Sequence, residues 1–359
     1  MILFLQQAFR LVLAEVSGMS RFFPLLKNGL PRFGVVASSA TMLALVLGFA
    51  GCSDPGKSAN KEGLQPVVIQ LNWYPEAEHG GAYAALVDGS YEAAGYDVEI
   101  RSGGPATPVA ADLASGRCQF AFANADDVVL YRQQGVDVVA VLAAMQNHPR
   151  CILVRADSGI TSLDDLKGLT LQRQPGKPFL EFMRQRGLLD GVQEVPYLGS
   201  VSALVASKDI AIQAYSFAEP LLAEQQGVDV TPLMVSELGW NPYSSVLLTT
   251  GELIRDNPTL VRDVVQATQQ GWRTYLTSPS AANEKILAAN HHGMTAEVLD
   301  FGVKQLPGLA MPDGATIESV GGMSLSRWKT LVEQMTKLGI VDPENVKAED
   351  CFDAQFLLP

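Results

Sequence analysis

From residue 67 to residue 249 the chain alternates short apolar runs with helix-like stretches, and after Gly251 the apolar runs stop. Few architectures accept that order. Strands in a βα series pair into a largely parallel sheet with helices on its faces, so an α/β fold is expected. Residues 67–73, 97–101, 119–123, 136–144 and 152–155 read as strands. Helices read over 81–94, 108–115 and 126–134, closed by Gly95, Gly116 and Gly135. A second series runs through strands at 169–172, 194–198, 210–214, 228–234 and 244–249. The rest is helical, over 258–276, 281–290, 296–305 and 324–338. Those last helices have no sheet of their own, and packing back on the first unit supplies one. The expectation is therefore two lobes, 66–155 with 250–359 and 156–249, which the chain crosses near 154–158 and 246–251. Two crossings make a hinge, and the cleft between the lobes is a natural ligand site.

The first 51 residues do not belong to this pattern. They carry Arg10, Arg21, Lys27 and Arg32 against a single Glu15, and residues 33–50 are uncharged. Gly48-Phe49-Ala50-Gly51-Cys52 resembles a bacterial lipoprotein cleavage site, with Phe49 where an aliphatic is usual. The expectation is a signal peptide over 1–51, a lipid on Cys52 and a polar tether over 52–65. The protein would be exported and held on the outer, periplasmic or extracellular, face of the cell membrane. An uncleaved signal anchor is the alternative, and a start at Met19 would give a more ordinary leader.

The formal charge is −12, from 26 Lys and Arg against 38 Asp and Glu. Removing a leader with four cations and one anion takes it to −15. With no basic run, a nucleic-acid partner is not expected. Beyond Cys52 the cysteines are Cys118, Cys151 and Cys351, read either as a Cys118–Cys151 disulfide with one thiol or as three buried thiols. Neither GxSxG nor HExxH occurs, and the four His are scattered, so neither a catalytic constellation nor a metal or other cofactor is expected. Asp126 and Asp127 are adjacent, so on a helix their side chains diverge.

Candidate ligand contacts lie just past strands, where open α/β sheets bind. Trp73, Glu76 and His79 lead the loop after the first strand. A flat aromatic for stacking beside a carboxylate that accepts N–H bonds suits a planar heterocycle bearing an exocyclic amine. Glu78 is expected in solvent. Gly104 lies in a glycine loop that lets the backbone approach a ligand. Asn124 follows the strand FAFA, and Asp126 is read as an N-cap. Gln174, Tyr215 and Glu219 follow strands of the second lobe. Tyr243 walls the cleft or fills the core, and Trp240 is assigned to the core.

The segment Leu71-Asn72-Trp73-Tyr74-Pro75-Glu76-Ala77-Glu78-His79-Gly80-Gly81 resembles the first strand and loop of the thiamine-pyrimidine-precursor group of ABC-transporter substrate-binding proteins. Gly95-Tyr96-Asp97-Val98-Glu99-Ile100, Ser162-Leu163 before Asp165-Leu166-Lys167-Gly168, and Gly239-Trp240-Asn241-Pro242-Tyr243 extend the likeness in order over about 66–357. The resemblance implies a two-lobe periplasmic-binding-protein-like fold of type II. It also implies a monomeric, lipid-anchored solute-binding component that delivers a small molecule to an ABC permease and its ATPase. The implied ligand is a thiamine pyrimidine precursor or a similar amino-heteroaromatic, although related members bind sulfonates or nitrate. Glu76 and Glu78 stand where Asn or Thr types are expected, which points to a more cationic ligand. The same family has an intracellular branch that makes the thiamine pyrimidine, so a synthase-like enzyme is the alternative. This chain has Trp240-Asn241-Pro242-Tyr243-Ser244 where that branch is rich in cysteine. A tethered receptor for a partner kinase is a third reading.

Overall fold

The computed structural model describes residues 63–359. The basic leader, Cys52 and nearly all of the tether lie outside the described residues.

Among the described residues, ten strands form two five-stranded sheets. The first holds β1 (Gln65–Gln70), β2 (Tyr96–Arg101), β3 (Phe120–Ala123), β4 (Val138–Met145) and β10 (Ser244–Thr250), in the order β2-β1-β3-β10-β4. The second holds β5 (Arg150–Arg155), β6 (Thr170–Arg173), β7 (Gln193–Pro196), β8 (Ile210–Tyr215) and β9 (Val230–Met234), in the order β7-β6-β8-β5-β9. In the first sheet β1 runs parallel to β2 and β3, and β10 is antiparallel to β3 and β4. In the second, β6 runs parallel to β7 and β8, and β5 is antiparallel to β8 and β9. Each sheet thus contains one reversed strand, and in each case it is the strand by which the chain has just arrived from the other half.

That arrangement corrects the expected crossings. β5 belongs to the second sheet and β10 to the first, so the chain crosses at 146–149 and again between β9 and β10. Burial explains the misplacement. β4 (VVAVLAAM) is buried along its whole length and β5 (RCILVR) along all but its last residue. Strands covered on both faces read as continuous apolar runs, which carry no mark of the sheet they join.

The helices after β10 pack onto the first sheet and its helices. Pro258–Thr277 lies against Gly80–Val87, with Trp272 and Tyr275 fully buried between them. Gly80 and Gly81 make that approach possible, because a Cβ on either would overlap the Tyr275 or Trp272 ring. The helix expected over 81–94 is broken at Gly89, which takes φ 79° and starts a second short helix, Ser90–Ala93. The helix expected over 296–305 runs on to Ala310 through Pro307. Cys118, Cys151 and Cys351 are all free and buried, so the Cys118–Cys151 disulfide does not form. Burial raises the thiols of Cys118 and Cys351 to about 12, which leaves them uncharged.

Candidate functional site

The loop after β1 is held from four sides. Gln70 Nε2 donates to the carbonyls of Leu71 (3.0 Å) and Ser102 (3.2 Å), and Gly103 N–H donates to Trp73 O at 2.9 Å. Gly103 is needed there, since a Cβ would meet the Leu71 carbonyl. Glu76 then caps the turn Ala77–His79 in a reciprocal box: its carboxylate accepts from His79 N–H, and His79 Nδ1 accepts from Glu76 N–H at 3.4 Å. With Nδ1 accepting, Nε2–H donates to Asn72 Oδ1 at 3.1 Å. Burial drives the His79 pKa down to about 3, so the ring is neutral.

From below, β10 fixes two loops at once. Ser244 Oγ donates to Asn124 Oδ1 at 2.7 Å, and Ser245 Oγ donates to the carbonyl of Glu78. Ser245 adopts φ 48°, a left-handed conformation unusual for a residue with a Cβ. Asn124 caps the helix Ala125–Gln133 in a second reciprocal box with Asp127. The cap is therefore Asn124 and not Asp126, which sits buried in the first turn.

The second half closes over these loops. Asn124 Nδ2 donates to Tyr215 Oη at 3.0 Å, and Arg150 Nη2 donates to the same oxygen at 3.2 Å. Lys177 Nζ meets Asp127 Oδ1 at 2.7 Å. Glu219 accepts from the Tyr215 N–H at 2.8 Å and from Tyr197 Oη at 3.1 Å. A cavity of about 270 Å³ lies between these groups. Trp73, Glu76, Gly104, Asn124, Gln174, Tyr215 and Glu219 all line it.

Two candidates fall outside the lining. His79 is buried behind the loop it braces. Tyr243 lies under Arg327, whose guanidinium sits 3.9 Å from its ring centre, and its hydroxyl accepts from Ser324 N–H. Trp240 is core, tilted against Phe182 at 5.2 Å. Glu78 departs from expectation in the other direction: it is 3 % exposed and lines the cavity. The sequence reading also missed Arg150, Lys177, Tyr197 and Gln213. Gln213 sits in a strand that reads as core, Arg150 lies two residues ahead of the strand read at 152–155, and no local spacing marks either as a neighbour of the first loop.

The electrostatics are dominated by acids, with Glu78 and Asp126 buried and Glu76 and Glu219 half-buried. Desolvation, with Glu219 and Glu78 nearby, holds the Glu76 carboxyl well above the usual range. Desolvation lifts Glu78 to about 8, although Arg150 opposes it. Glu219 is raised by burial against the pull of its hydrogen bonds. Asp126 is pushed to about 6 by burial and by Asp127. Among the described residues no His, Cys, Asp and Glu group is arranged to hold a metal ion, and no helix is long and apolar enough to cross a membrane.

A pocket closed from both halves around aromatic rings and carboxyls is a binding geometry, and comparison with known proteins agrees. The sequence pattern described as NMT1/THI5-like matches residues 76–282, more than half of the chain. The chain belongs to the NMT1/THI5-like family. Among curated relatives, the riboflavin-binding protein RibY of Chloroflexus aurantiacus is 24 % identical over 78 % of this chain and 77 % of its own length. The formylaminopyrimidine-binding protein of Halalkalibacterium halodurans is 23 % identical over 88 % of this chain and 97 % of its own. The periplasmic aliphatic sulphonate binding protein SsuA from Escherichia coli shares the fold, with a TM-score of 0.61 at 15 % identity over 80 % of this chain and 91 % of that one. So does the desulfurization enzyme DSZB, at 0.56 and 16 % identity over 81 % and 97 %. The fold is that of the periplasmic binding proteins, as expected for type II, and it carries enzymes as well as binders.

Proposed function

We propose that this protein is the solute-binding component of an ABC-type importer, and that its two halves act as lobes that close over a small amino-heteroaromatic ligand. The observation that carries this is the cavity itself. It draws Trp73, Glu76 and Glu78 from one half and Tyr197, Tyr215 and Glu219 from the other, so a ligand there stabilises the closed arrangement over an open one. Both curated relatives are named for small heteroaromatic ligands. Size favours the smaller of the two. At about 270 Å³ the cavity falls just below the ~300–1,000 Å³ of drug-sized sites. That suits one substituted ring, such as a pyrimidine, better than a three-ring flavin with its sugar-alcohol chain.

In this reading the ring stacks on Trp73, and Glu76 and Glu219 accept N–H bonds from its amino groups. The mature protein is exported, held to the membrane by a lipid on Cys52, and passes its ligand as a monomer to a permease and ATPase. No chemical step is assigned to it. Ligand-dependent melting tests this directly: a pyrimidine amine raises the melting temperature and is recovered unchanged. Time-dependent conversion of the added compound would instead support an enzyme on this fold.

A further inference from the structure

Three carboxyl groups from both halves converge on the cavity. Glu76 and Glu78 come from the loop after β1, and Glu219 from the start of the helix Glu219–Glu224. Glu76 is held by the Trp73 side chain and the His79 N–H, and Glu219 by the Tyr197 hydroxyl and the Tyr215 N–H. All of these partners are neutral donors. Glu78 has only the His79 ring at ion-pair distance, 3.5 Å among the described residues, and that ring is itself neutral.

The cations facing the cluster do not balance it. Lys177 is engaged by Asp127 at 2.7 Å. Arg150 donates to the Tyr215 hydroxyl and lies 4.8 Å from the centre of the Phe179 ring and 4.9 Å from that of Tyr215. Asp126 and Asp127 add negative charge from the neighbouring helix. His148, packed edge-on to Tyr215, is kept neutral by burial and by Arg150. Burial also raises the hydroxyls of Tyr131, Tyr197 and Tyr215, so none of them supplies charge. Among the described residues Arg150 is therefore the one guanidinium lining the cavity that faces the three carboxyls without a carboxylate partner, and of those carboxyls Glu78 is buried while Glu76 and Glu219 are half-buried. Such a cluster either holds protons or admits a cation.

We propose that the cavity selects a positively charged single-ring heterocycle, which enters in exchange for a proton from the Glu76–Glu78–Glu219 cluster. The proposal rests on the reading of this cavity as the ligand site. In the free protein at neutral pH Glu78, with its pKa raised to about 8, is mostly a carboxylic acid. The cation binds to the carboxylate, and the displaced proton leaves to solvent. Charge in the site is thereby conserved.

Two probes of nearly identical shape test this. 4-Aminopyridine is protonated on its ring nitrogen at neutral pH, and 4-aminopyrimidine is not. Titration calorimetry of the purified protein in buffers of different ionisation enthalpy, at pH 6, 7 and 8, reads both affinity and proton release. The expected result at pH 7 is at least tenfold tighter binding of 4-aminopyridine, with release of roughly one proton. Its affinity then rises with pH, by up to about tenfold per unit below the carboxyl pKa. Glu78→Gln lowers the number of protons released and makes the pH dependence of 4-aminopyridine binding shallower, and release and pH dependence equal to those of the unaltered protein would overturn the role of Glu78 in the exchange. Equal affinities for the two probes, or tight cation binding without proton release, would overturn the exchange and leave the ligand site standing. Absence of saturable binding for both probes would overturn the site reading along with it.

Discussion

Glu78 is where the sequence and the folded site diverge most. A glutamate between Ala77 and His79 in a polar loop reads as solvated. Burial comes from Ser245, 167 residues away in sequence but hydrogen-bonded to the Glu78 carbonyl, and from the second half closing above. Trp73, Glu76, Asn124, Gln174, Tyr215 and Glu219 were legible because each follows a strand end, and strand ends converge in this fold. Arg150 was not, because its role depends on which sheet β5 joins, and Lys177 was not, because its partner Asp127 is 50 residues away in the other half. Two outcomes follow at this scale. Trp73→Ala and Glu76→Gln each weaken ligand binding at least tenfold, or about 1.4 kcal/mol, with the melting temperature of the free protein little changed. The raised carboxyls also set a pH dependence. A carboxyl whose pKa is higher folded than unfolded favours folding below its unfolded value, near 4.5 for Glu78, and loses that contribution as pH climbs through about 8. The melting temperature of the free protein therefore falls across that window, and Glu78→Gln shows a shallower fall.

At the scale of elements, the two crossings are tied together. Asn241 Oδ1 accepts from His148 N–H at 2.8 Å, and Asn241 Nδ2 donates to Asn147 Oδ1 at 2.9 Å. Arg327, on the helix Leu325–Lys337, donates to the carbonyls of Gln146 (2.6 Å) and Asn241 (2.9 Å). One guanidinium thus clamps both segments that join the halves. Hydrogen bonds to a charged group contribute about 1.5–3 kcal/mol each, so Arg327→Met lowers the melting temperature while the cavity lining stays intact. An unchanged melting curve would contradict the clamp. Gly81→Ala pushes a methyl into Trp272 and costs about 1–3 kcal/mol, measurable by denaturant unfolding. The βα alternation made the strands legible one by one. Crossing points were not, since β4 is apolar throughout, β5 is apolar between its two terminal arginines, and only four residues separate them.

For the molecule as a whole, the fold class and the cleft between two α/β halves followed from the order of elements, because helices without a sheet must return to one. The charge pattern, a basic and apolar first 51 residues ahead of an acidic chain, supports the proposed export and tethering. Cys52→Ser is expected to release the protein from membranes, as fractionation would show, whereas retention would favour an uncleaved anchor. The most direct measurement is mass spectrometry of the small molecule that co-purifies with the protein. The structure leads us to expect a stoichiometric single-ring nitrogen heterocycle bearing an amine, absent from the Trp73→Ala variant. A flavin or an alkanesulfonate in its place, or the same compound retained at full occupancy by Trp73→Ala, would contradict it.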